Sequence, residues 1–140
     1  MPRVKKSEIP AGAAQMEVTA GATLWLSCGD KFFGPGVARF FSLVDKHGSI
    51  NGACEAMDLS YNKAHGMIKK MEKLLGRKMI LVQPGGRNGS SAALSVHARE
   101  LIARYDAYSR ECFDLIKGAF DKHFDGYQWF GKKPGAKPSK

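Results

Sequence analysis

GSINGACEAMDLSYNKAHGMIKKMEKLLG, residues Gly48 to Gly76, is the stretch on which the fold turns. It divides into two short helical patterns around a polar break. Ser49 stands at an N-cap position, its side-chain oxygen available to a free N–H of the first turn. Ile50, Ala53, Cys54 and Met57 follow at helical spacing and make one apolar face. Gly52, Ala53 and Ala56 are small, so a second helix can cross at close range. Asp58 and Leu59 form the break, with Leu59 apolar enough to plug the space between the helices. Ser60 is a second N-cap. From it runs a stronger helix with Ala64, Met67, Ile68, Met71, Leu74 and Leu75 turned inward. Two helices joined by a tight turn, a helix-turn-helix, are therefore expected.

The outer side of the second helix carries Tyr61, Asn62, Lys63, His65, Lys69, Lys70 and Lys73, with one acid, Glu72. A face that must only stay soluble usually mixes signs. This one presents donors. Composition agrees: the 140 residues carry a formal net charge of +9, and the sequence pI of about 9.6 points to a polyanionic partner, most commonly nucleic acid. That length suffices for one domain with a real core plus an arm or two. Cys28, Cys54 and Cys112 are odd in number and far apart, each within an apolar pattern, so buried free thiols in a reducing cytoplasm are expected. No stretch approaches the roughly 20 apolar residues of a membrane span, and no signal peptide is evident.

Upstream, residues 1–22 lack periodicity and read as a flexible arm, with Arg3, Lys5 and Lys6 near its start. Thr23 to Cys28 alternates like a strand. With Lys31 to Phe33 after Gly29-Asp30, it predicts a small hairpin that has Trp25 and Phe33 on its packing face. Gly34-Pro35-Gly36 stops the strand and launches a helix whose Val37, Phe40, Phe41 and Val44 repeat at threes and fours, with Leu43 widening the stripe. It supplies the third helix of a trihelical core.

Downstream, Met79 to Gln83 predicts a strand, residues 84–91 a glycine-rich loop, and Ala92 to Ser95 a returning strand. Two strands with a polar tip make a wing. A nucleotide-binding P-loop is the alternative, but its lysine and hydroxyl spacing is absent. Ser95 caps the last helix, whose stripe runs Ala98, Leu101, Ile102, Tyr105, Tyr108, Cys112, Phe113, Ile116, Ala119, Phe120 and Phe124. At 1.5 Å per residue it is roughly 43 Å long, more than one small domain covers. A two-fold dimer is expected to bury the remainder, through Leu101, Tyr105, Tyr108, Cys112, Phe113, Ile116 and Phe120. Glu100 with Arg104 and Asp106 with Arg110 are spaced for ion pairs along it. The fold class is thus mostly α with a small β part: a winged helix-turn-helix over residues 23–95, a long dimerisation helix over 96–125 and a basic tail over 126–140.

Residues Gly48 to Leu75, followed by a strand, a glycine-rich wing, Leu94-Ser95 and an amphipathic helix, resemble the winged helix-turn-helix of LysR-type regulators. The chain is still more similar to the DNA-binding domain of ModE-type, molybdenum-responsive transcriptional regulators. Phe33-Gly34-Pro35-Gly36, Gly48-Ser49-Ile50, Leu59-Ser60-Tyr61-Asn62-Lys63-Ala64, Gly85-Gly86 and Leu101-Ile102 before Tyr105 carry the likeness, over about Leu24 to Ile116. The resemblance implies molybdate as an effector, sensed in a C-terminal oxyanion-binding domain that this sequence is expected to lack. His65 and Gly66 stand where many relatives have an aromatic and an acid.

The expected function is sequence-specific binding of double-stranded DNA by a homodimer. Tyr61, Asn62, Lys63 and His65 lie near the N-terminus of the recognition helix, where base edges come within reach; Asn can pair bidentately with adenine and Lys can donate to guanine. Ser49, Ser60, Lys69, Lys70, Arg87 and Asn88 are assigned to phosphate. A low-specificity nucleoid-type DNA-binding protein and a protein-interaction module are the alternatives. No cofactor or catalytic residue is expected, since His47, His65, His97 and His123 are scattered without metal-ligand spacing and no nucleophile, base and orienter recur together.

Overall fold

The structure is a computed structural model that describes residues 17–84 and 91–127. The described chain is mostly helical with two small antiparallel sheets. In order it forms β1 (Leu26–Cys28), β2 (Asp30–Phe33), α1 (Pro35–His47), α2 (Ile50–Met57), α3 (Tyr61–Leu75), β3 (Ile80–Gln83), β4 (Ser91–Leu94) and α4 (Val96–Phe124). Thr23–Arg110 make one compact unit, so the first half of α4 belongs with the helices before it. The other described residues, 17–22 and 111–127, group as a second.

Local chemistry explains the boundaries. Pro35 occupies the first turn of α1 after Gly34, where its missing N–H costs nothing. Gly48 and Gly76 end α1 and α3 in the left-handed conformation, φ 68° and 65°, which favours glycine. Ser49 Oγ accepts from Gly52 N–H at 2.9 Å and Ser60 Oγ from Lys63 N–H at 3.2 Å, confirming both caps. Asp58 adopts φ 52° and turns the chain between α2 and α3.

Phe33, Phe40, Phe41, Val44, Ala53, Ala64 and Met71 are almost completely buried. Each large apolar member contributes about 1.5–3 kcal/mol on burial. Edge-on contacts of Phe33 with Tyr105 (4.9 Å between centroids) and Phe41 (6.3 Å) tie β2, α1 and α4 together. β3 and β4 pair from Ile80↔Leu94 to Gln83↔Ser91. The hairpin is anchored where Ala92 N–H donates to Gly48 O at 2.8 Å, at the junction of α1 and α2. Ser95 is buried; its hydroxyl donates to Lys78 O at 2.6 Å and accepts from Ala98 N–H at 3.1 Å, so one side chain joins the α3–β3 connection to the first turn of α4.

Four packing expectations need correction. Trp25 is 47% exposed, because the pairing Leu26↔Phe33 puts Leu26 on the face of Phe33 and turns Trp25 away; Lys31 Nζ instead lies over its ring at 3.7 Å. Leu74 and Leu75 are 41% and 37% exposed. The buried residues of α3 end at Met71, so its last turn lies past the core. Cys28, beside the Gly29 turn, is exposed, while Cys54 is buried and Cys112 half-buried; all three are free thiols. Glu100 and Arg104 do pair, at 3.1 Å, whereas Asp106 and Arg110 do not, both being exposed.

Candidate nucleic-acid interface

α3 is held from one side only. Ala64, Ile68 and Met71 bury one flank of the helix against the core. Tyr61, Asn62, Lys63, His65, Lys69 and Lys70 are all exposed. The rings of Tyr61 and His65 stack one turn apart, 5.9 Å between centroids and 13° from parallel, which gives the start of the helix a firm aromatic edge. Ser60 is exposed at the cap and Ser49 half-buried. Both hydroxyls are engaged as acceptors by their own helices, yet each keeps its O–H to donate.

Glu72, the one acid expected on this face, is withdrawn from it. Its Oε2 accepts from Met79 N–H at 2.8 Å and its Oε1 lies 3.7 Å from Lys78 Nζ. The carboxylate therefore fixes the entry to β3 and is turned away from the lysines on the outer face of α3. One further acid approaches from elsewhere: Asp30, at the start of β2, sits 3.9 Å from Lys70 Nζ, both side chains well exposed. An exposed pair of this kind is worth little, so Lys70 can exchange Asp30 for another anion. Sequence inspection missed Asp30 because the contact joins distant segments and leaves no periodic trace. Arg87 and Asn88 lie outside the described residues.

The residues assigned to the dimer surface separate into two groups. Tyr105 is 7% exposed and belongs to the chain's own core, its hydroxyl donating to Leu24 O at 2.8 Å. Leu101 packs against the same core. Tyr105 is a correction, because its ring and hydroxyl are spent on the chain's own unit. Farther along, Tyr108 and Phe113 are 45% and 44% exposed, and Cys112, Ile116 and Phe120 are half-buried. A bidentate contact from Arg99 to Asp45, 2.7 and 3.3 Å, fastens the start of α4 to α1.

Among the described residues no three His, Cys, Asp or Glu side chains come together as a metal site. Burial pushes the Cys54 thiol pKa up, which keeps it protonated and makes it a packing group. No described helix is long and apolar enough to cross a membrane.

No family model matches the chain. Curated proteins do. It is 32% identical over 79 residues to the transcriptional regulator ModE of Haemophilus influenzae, covering 56% of this chain and 31% of that protein. It is 32% identical over 73 residues to the molybdenum transport protein ModE of Azotobacter vinelandii, 52% of this chain and 27% of that one. The molybdenum-pterin-binding protein MopB of Rhodobacter capsulatus is 34% identical over 79 residues, 56% and 29% of the two chains. The matches thus span less than a third of the length of these relatives. Over a little more than half of its own length the chain is similar to the ModE-type regulators, which bears out the resemblance carried by its residues.

Proposed function

We propose that this chain is a sequence-specific, double-stranded-DNA-binding transcriptional regulator that acts as a homodimer. One observation carries the proposal: the outer face of α3 presents Tyr61, Asn62, Lys63, His65, Lys69 and Lys70 to solvent together, while the acid on the same helix is bonded away to β3. The relatives' names, a transcriptional regulator among them, support the same assignment.

In this mechanism α3 is the recognition helix and enters a major groove. Asn62 and Lys63 read base edges near its N-terminus, with Tyr61 and His65 beside them. Lys69 and Lys70 neutralise phosphates, Ser49 and Ser60 donate to them, and Arg87 and Asn88 of the β3–β4 loop extend the same contact. A second copy, docked through the later turns of α4, places its own α3 about 34–36 Å away, or a multiple of it, so that two half-sites are read on one face of the duplex.

Selection of bound sequences from a random duplex pool, with and without molybdate, tests this. A recovered two-fold motif is expected. A footprint spread over any DNA would instead support a nucleoid-type protein, and failure to retain duplex at low salt would support a protein-interaction module.

A further inference from the structure

Gly66 sits in the interior of α3, where glycine is the poorest ordinary helix former after proline. Nothing among the described residues requires it. A Cβ built there meets no atom within 4 Å, and the helix continues unbroken from Tyr61 to Leu75. Gly52 in α2 is the instructive contrast, since a Cβ there would come within 2.8 Å of His47 Cβ and 2.9 Å of Ser49 Oγ. Internal packing therefore explains Gly52 and leaves Gly66 unexplained.

The position of Gly66 is informative. At about 100° per residue it lies roughly 200° around the helix from both Ala64 and Ile68, so it points directly away from the core. Asn62 precedes it by one turn, and Lys69, Lys70 and Lys73 follow by one or two on the same side. The face consequently has a bare stretch of backbone at its centre, bordered by long cationic side chains.

We infer that Gly66 is a steric determinant of DNA recognition, a place where the duplex approaches the α3 backbone more closely than a side chain would allow. Glycine permits just such an approach of backbone to ligand. The lysines around the gap then reach phosphates on both sides of the groove while Asn62 is brought down to the base edges. This rests on the proposal that α3 reads DNA, and it goes further by naming what sets the depth of insertion.

The test compares wild type with Gly66→Ala and Gly66→Leu. Both replacements favour the helix and the Cβ of each enters open space, so the free protein should melt at a higher temperature. Affinity for the duplex selected by wild-type protein should fall about tenfold or more for Gly66→Ala, the size of one mismatched base pair, and further for Gly66→Leu. Affinity for a scrambled duplex should change less. Higher melting temperatures with unchanged affinity for the selected duplex would overturn the inference, as would a lower melting temperature for Gly66→Ala. If wild-type protein selects no duplex at all, the DNA-binding proposal fails, and the role of Gly66 fails with it.

Discussion

Asn62 and Ser95 show two different ways in which a single polar side chain matters here. Asn62 is exposed one residue into α3 and bonds to nothing described in the folded chain, so its replacement tests recognition without testing stability. Asn62→Ala should weaken binding to a selected duplex by about 1–3 kcal/mol and leave a scrambled duplex nearly unaffected, measured by competition titration. An equal loss on both would remove it from base reading. Ser95 is the opposite case: it is buried and bonded on both sides, to Lys78 O and Ala98 N–H. Ser95→Ala leaves a carbonyl and a helix N–H short of a partner, and should cost about 1–3 kcal/mol in urea unfolding without a new DNA preference.

At the scale of elements, much of the fold was legible before the structure. The caps Ser49, Ser60 and Ser95 are local signals, and the structure starts a helix at each. The apolar repeats of α1 and α3 named Phe40, Phe41, Val44, Ile68 and Met71, all of them core residues. Periodicity could not show how far each stripe is covered. Leu74 and Leu75 follow the pattern yet lie past Met71, the last buried residue of α3, and Trp25 is exposed because cross-strand register, not alternation alone, decides its side. Tyr105 sits on the same stripe as Phe113 but is claimed by Phe33 and by Leu24 O, a contact that joins distant parts of the sequence. That hydrogen bond yields a prediction at this scale. Tyr105→Phe should loosen the segment leading into β1, seen as faster amide exchange around Leu24–Cys28, and cost about 0.5–1.5 kcal/mol of stability. Unchanged exchange there would mean that ring packing alone holds the segment.

At the scale of the whole molecule, charge and the later turns of α4 add to the proposed reading of α3. The net charge of +9 makes any duplex attractive at low salt, so specificity must be separated from simple polyanion binding. Lys69→Ala should lower affinity for all duplexes and reduce the slope of log affinity against log salt by about one; an unaltered slope would exclude Lys69 from the phosphate contacts. Phe113 is 44% exposed on α4, and Phe113→Asp should convert the proposed dimer into a folded monomer by light scattering, with helicity retained. Dimer mass that survives this change would place the interface elsewhere.

The central claim, that the outer face of α3 reads base sequence, is tested most directly by one ratio: affinity for a duplex selected by the wild-type protein over affinity for its scrambled counterpart, at one fixed salt concentration. Sequence-specific recognition predicts a ratio of about 10³ or more for wild type, falling sharply in Asn62→Ala. A wild-type ratio near one, with strong binding to both duplexes, would contradict it.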